Sequence, residues 1–153
     1  MSPRSLYRFM SIAEAITWSL LIAGMIMKYV LQVGEWGVQI GGFVHGLVFI
    51  AYGMTAVLTG VNQHWGPRLT MLAMITAIVP FGTLPLDHVL EKNGRLDGDW
   101  RHTRTLDPRD DTRVSALLRW VLVRPVLLAS VMGVALVSIM AALLTIGPPG
   151  GTS

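Results

Sequence analysis

The chain has 153 residues, 52% of them hydrophobic and only 14% charged, with a mean hydropathy of +0.56. Soluble domains carry about a quarter charged residues, and a core of this size cannot hide so much apolar surface, so the exterior must face lipid. The net charge of +3 comes from basic residues that flank apolar runs, which argues against a nucleic-acid partner, and the lack of cysteine excludes disulfides and thiolate chemistry.

Four apolar runs follow one another. The first, about Leu6 to Val30, contains one acid, Glu14; the second, Val38 to Val61, has 24 residues free of Asp, Glu, Lys and Arg. Both exceed the roughly 20 helical residues that cross a hydrocarbon core of about 30 Å. Glu14 interrupts the first run and no small-residue cleavage site follows it, so it reads as a span and not as a cleavable signal. The third, Leu69 to Leu86, has 18 uncharged residues but carries Pro80, Gly82 and Pro85 near its end, whereas the fourth, Val126 to Ile146, is an unbroken 21. An open sheet would strand backbone groups in lipid and no sustained alternation marks a barrel. The expected class is therefore all-α, a polytopic membrane protein built as a four-transmembrane-helix bundle.

Short connections at 34–37 and 62–68 make the first three spans antiparallel neighbours, so residues 1–90 are expected to form a three-span membrane domain. Residues 91–113 are crowded with charge and lack apolar periodicity, which predicts a solvated polar linker. In 114–147, Val114, Leu117, Leu118, Val121 and Leu122 recur at helical spacing beside Arg113, Arg119 and Arg124. That pattern predicts an amphipathic interfacial helix, with anionic lipid as a partner at the three arginines, before Pro125 resets the chain into a fourth span. The Gly- and Pro-rich stretch 148–153 predicts a disordered tail. With four spans, Arg4, Arg8 and Arg68 share one side and the other nine basic residues the opposite side. The positive-inside rule then makes the linker side cytoplasmic and both termini external, although Arg4 and Arg8 ahead of the first helix pull the other way.

Glu14, then Met27-Lys28-Tyr29, then His45-Gly46 with Tyr52, then Pro80-Phe81-Gly82-Thr83 and Asp87 stand in a telling order. It resembles that of a small integral-membrane family of unknown function marked by a His-Gly pair, the YdzA-like membrane proteins. The resemblance covers about Arg8 to Leu90 and leaves the linker and fourth span outside it. It implies fold and membrane location, and no activity.

Polar groups inside spans are where chemistry would reside, because a charge at the bilayer centre costs at least about 2.5 kcal/mol and turns toward the bundle interior. Pro80 and Pro85 cannot donate to Thr76 and Phe81, so carbonyls are freed around Gly82 at about the depth of His45. The candidate intramembrane polar site is thus Glu14, His45, Tyr52, Gly82 and Thr83, set against a simple kink and a structural histidine. Lys28 and Asp87 fall at one membrane face in this reading and are expected to pair, the alternative being that each is solvated alone. Gly42, Gly46, Gly53 and Gly60 fall within roughly 40° of one another on a helical projection, a stripe for close helix packing.

No clustered metal ligands, nucleotide fingerprint or nucleophile motif occurs, so no catalytic residue, metal or cofactor is assigned. The preferred reading is a multi-pass cell-membrane protein without enzymatic activity, an accessory or scaffold subunit of a homo-oligomer or larger membrane complex. The alternative is a small oligomeric transporter or channel with Glu14 and His45 binding protons or ligand. An enzyme ranks third.

Overall fold

Proline opens three of the six α-helices of the described chain, where its missing N–H costs nothing and its fixed φ suits a helix start. A computed structural model describes residues 1–146; the expected tail at 148–153 lies outside them. The helices are α1 (Pro3–Met25), α2 (Trp36–Asn62), α3 (Pro67–Thr76), α4 (Thr83–Lys92), α5 (Arg113–Leu122) and α6 (Pro125–Ile146). The all-α, polytopic architecture is as the sequence implies. Three helices are long and apolar enough to cross a bilayer: α1 with the π turn Ile26–Val30 that ends it, α2, and α6.

The burial pattern is that of a protein in lipid. Along α1 the inward residues include Tyr7, Ser11, Glu14 and Thr17, while Phe9, Ile16 and Leu20 are exposed. Water would invert that preference; hydrocarbon does not, because polar groups there must find partners inside the protein. α1 and α2 run antiparallel and touch backbone to backbone at one point. A Cβ on Gly24 would lie 2.4 Å from the Gly37 carbonyl oxygen, and one on Gly41 would lie 3.0 Å from that of Leu20. Only glycine permits this approach.

The third apolar run does not cross. α3 leaves the α2 end near Gly60, where Thr70 and Trp65 pack, and climbs until the Ala77 carbonyl accepts from Trp18 Nε1 at 3.1 Å. The chain then turns through Phe81, which sits at φ 62°, and α4 descends along α1: Thr83 meets Ser11, and Glu91 meets Arg8 and Arg4. The third of the four expected spans is therefore a re-entrant hairpin that enters and leaves at the face holding the N-terminus. Its cause is the cluster of breakers. Gly82 is irreplaceable in the turn, since a Cβ there would lie 2.6 Å from the Thr76 oxygen.

One consequence is that residues 93–112 return to the N-terminal face as an ordered cap: most of its residues stay exposed, as the charge density implies, but a few buried side chains pin it to the bundle. Leu96 is fully buried with Trp65, whose Nε1 donates 2.8 Å to the Arg95 carbonyl. Asn62 donates to the Asp99 carbonyl and accepts from the Arg101 backbone N–H, and Trp100 Nε1 donates to the Met1 carbonyl. At the centre Asp110, fully buried, accepts from Arg101 and from the Thr105 backbone and hydroxyl. A second consequence is charge segregation. Every Lys and Arg except Lys28 now belongs to the N-terminal face, eleven of twelve, in place of a three-to-nine division.

α5 carries the expected amphipathic pattern, with Leu118 and Leu122 buried and Val114, Leu117 and Trp120 exposed. α6 then runs parallel to α1 and touches α2 at Gly46, where a Cβ would lie 3.5 Å from the Met140 methyl. The rest of its surface is open, Val126, Val134 and Val137 being at least 65% exposed.

Candidate intramembrane polar site

The buried polar residues of α1 follow a helical register, Tyr7, Ser11, Glu14 and Thr17 at spacings of four, three and three, so one stripe faces α2 and the hairpin. Glu14 lies about 16 Å along the helix from Pro3, deep in the hydrocarbon. It is fully buried. Thr83, the first residue of α4, places its hydroxyl 3.1 Å from the Ser11 carbonyl and 3.3 Å from Glu14 Oε2. A hydroxyl has one proton to give, and the carbonyl can only accept. The arrangement that satisfies all three groups has Thr83 donating to Ser11 and a protonated Glu14 donating to Thr83.

The same bookkeeping orders the next turn. Thr17 Oγ1 donates 2.9 Å to the Glu14 carbonyl and stands 3.1 Å from His45 Nδ1, so the histidine donates from Nδ1. Its ring packs against Trp18 at 4.4 Å between centroids, tilted by 50°, with Phe49 beyond at 6.1 Å. Trp18 thus joins His45 to the hairpin tip, because its indole N–H holds the Ala77 carbonyl. The other carbonyls loosened by the prolines are taken locally: Val79 N–H reaches Thr76 and Leu84 N–H reaches Phe81.

Not all of the polar set converges. Glu14, Gly82 and Thr83 meet at the hairpin, and His45 joins them through Thr17. Tyr52 faces away toward Tyr7, hydroxyl to hydroxyl at 2.6 Å. Lys28 and Asp87 lie at opposite faces of the molecule because the hairpin carries Asp87 back toward Arg4 and Arg8. Lys28 instead pairs with Glu35 at 2.9 Å across the first connection.

The glycine stripe also divides. Gly60 packs on Thr70 and Gly46 on Met140, but a Cβ on Gly42 would come no nearer than 3.8 Å to a neighbour, at Leu21, and Gly53 faces open space. The close helix crossing belongs to Gly24, Gly37 and Gly41, and the signal was present as two glycines four residues apart at the start of the second run. Tyr7, Ser11, Thr17 and Trp18, which complete the site, carry the three-and-four spacing of a buried stripe.

Two buried atoms remain without a partner at this site, Glu14 Oε1 and Ser11 Oγ, one turn apart on α1. A buried carboxyl with a free oxygen can hold a proton and can exchange it if water reaches the turn.

Three apolar crossings, a polar interior and a re-entrant hairpin define a polytopic α-helical membrane protein. The chain belongs to a family described as a domain of unknown function (DUF3817), whose profile matches residues 4–92. That span covers α1 to α4 and stops where the cap begins. The chain is also similar to a Streptomyces coelicolor protein named "Putative membrane protein SCO5905", with 37% identity over 91 residues, 59% of this chain. The match spans only 11% of that relative's length. These comparisons carry neither the YdzA-like label nor a His-Gly hallmark. No solved structure matches the chain.

Proposed function

We propose that the protein is a non-enzymatic accessory module of a larger membrane assembly, residing in the cell membrane. One observation carries this reading: the stretch related to this fold is about a ninth of a far longer relative whose name places it in a membrane. A fold that serves as one part of a long membrane polypeptide suits a separate chain that docks onto comparable machinery. The surface agrees, since only 6% of the most apolar window of α6 is buried within the chain, leaving a long helix face for a neighbour. Small buried interfaces of this kind are stabilised in lipid by close packing more than by apolar burial. With eleven of the twelve basic residues at the N-terminal face, that face and the cap are assigned to the cytoplasm. The test is purification from native membranes in mild detergent after cross-linking. A stoichiometric larger membrane protein is expected; a chain that runs as an isolated monomer and cross-links to nothing would refute the reading.

A second reading rests on the partnerless Oε1 of Glu14 beside a re-entrant turn, an arrangement transporters use at ion and proton sites. In it, oligomers of the chain conduct or exchange protons at Glu14, with His45 next in line through Thr17. Proton flux into proteoliposomes that is lost in Glu14→Gln supports it, and equal flux with and without protein eliminates it.

A further inference from the structure

Between α2, α5 and α6 lies an apolar groove of about 620 Å³, within the range of clefts that hold small ligands, about 300–1,000 Å³. On α5, at the N-terminal face, Val114, Leu117 and Val121 line its mouth, and Val57 and Gly53 of α2 and Val131 of α6 line its walls. Gly53 has nothing within 4 Å of where a Cβ would stand, so the missing side chain widens the groove. Along α2 the lining extends from Val61 to Phe49 and along α6 from Leu128 to Ile139. At about 1.5 Å per residue either distance is roughly 17 Å. That is close to one leaflet, about half of a 30 Å core. A helix from a partner would need the full thickness, whereas one acyl chain needs the half the groove provides.

The mouth adds charge. Arg113 and Arg124 bracket α5, and among the described residues neither has a carboxylate within salt-bridge distance. Arg124 lies over the Trp120 ring at 4.4 Å, at the turn between Val121 and Leu128, which both line the groove. Trp120 is half exposed, as tryptophan is at a headgroup boundary. Arg119 takes no part: it donates to the Asp110 carbonyl and lies 3.5 Å from that carboxylate. Arg124 beside a leaflet-long apolar slot, with Arg113 adding positive charge at the far end of α5, matches a phosphate-bearing headgroup above its tail.

We infer that this groove is a binding site for one anionic phospholipid, an acyl chain lying between α2 and α6 and its headgroup phosphate held by Arg124, with Arg113, about 16 Å away at the other end of α5, adding longer-range attraction. The purified full-length protein in a neutral mild detergent is titrated with phosphatidylglycerol, with phosphatidylcholine of the same acyl chains, and with inorganic phosphate, following thermal unfolding and native mass spectra. Phosphatidylglycerol is expected to bind at one copy per chain, on the order of twentyfold more tightly than phosphatidylcholine, the weight of two interfacial arginines. Combined Arg113→Gln and Arg124→Gln removes that preference. Gly53→Phe, or Val131→Trp from the opposite wall should Gly53→Phe fail to fold, weakens both lipids at least tenfold. Equal affinity for the two lipids overturns the site. So does an equal response to inorganic phosphate, which would assign the arginines to a soluble anion. A protein dimer that excludes lipid from the groove, or full binding in the filled variants, overturns it as well.

Discussion

Residues 69–86 and 126–146 are apolar runs of similar length, both without charge, yet one folds back within the membrane and the other crosses it. The difference lies in three residues. Val126 to Ile146 has no proline and one glycine, Gly133, which has open space around it; the other run has Pro80, Gly82 and Pro85 within six positions. The hairpin is then held by what it meets, Trp18 at the tip and Ser11 and Glu14 below, whereas α6 meets little. Hydropathy sets where a chain enters lipid, and helix breakers with polar partners set whether it comes out on the far side.

The largest expected effect comes from removing that difference. The chain has no cysteine, so single cysteines report sidedness without a background. With the hairpin present, Arg68→Cys and Thr103→Cys are labelled by an impermeant maleimide from one side of sealed vesicles and Val33→Cys from the other. A third span that crossed would put Arg68 and Thr103 on opposite sides. Combining Pro80→Ala, Gly82→Leu and Pro85→Ala is expected to straighten the run and move the Thr103→Cys label to the side of Val33.

Next come the glycines, which separate required contacts from open ones. Gly82→Ala and Gly24→Ala each force a methyl onto a backbone carbonyl and are expected to cost about 3 kcal/mol, the upper range for overpacking. Gly42→Ala and Gly53→Ala face loose or open space and should stay within about 0.5 kcal/mol. Thermal unfolding in one detergent compares all four. Equal gains at Gly24 and Gly53 would mean that helix propensity and not the close crossing governs the series.

Much of this was legible in the sequence. The lipid environment, the ends of the runs, the breakers around Gly82 and the grouping of Glu14 and Thr83 in one polar set follow from composition and turn chemistry. The direction of the chain after Gly82 did not, because prolines mark a break without stating its angle, and the angle depends on Trp18 and Ser11, which lie more than sixty residues earlier. Every error in sidedness follows from that one turn, including the Lys28–Asp87 pairing and the division of charges. The cap was missed for another reason. Most of its charges are exposed, as they read, but a sequence cannot show that Arg101 and Arg119 close on the same buried Asp110.

A smaller effect tests the hairpin's lower anchor. Thr83→Val removes the only hydroxyl between Ser11 and Glu14 and should cost about 1 to 2 kcal/mol, the penalty for unpartnered buried groups. Glu14→Gln should cost less, because an amide N–H can donate to Thr83 as a protonated acid does. If Glu14→Gln proves the more damaging of the two, the carboxyl is ionised in the fold and the hydrogen-bond order proposed for the site is wrong.

The smallest effect belongs to the cap and depends on pH. His64 stands beside Asp110 and Arg101, its Nε2 3.0 Å from Asp110 Oδ1 and in contact with the Arg101 guanidinium. Burial holds the imidazole below its ordinary range, and Arg101 and Arg109 push in the same direction against a smaller opposing pull from the Asp107 carboxylate. Asp107, held well below the carboxylate range by hydrogen bonds from Arg109, stays ionised throughout and contributes nothing in this window. The folded cap thus binds a proton more weakly than the opened chain, whose histidine titrates near 6.5. The cap is unaffected above that pH and loses stability as the pH falls through and below it. Amide exchange across 93–112, corrected for intrinsic chemistry, should rise between pH 7.5 and 5.5 while that of α1 does not. His64→Asn should flatten the response, and a rise that persists in this variant would move the sensitivity to another group.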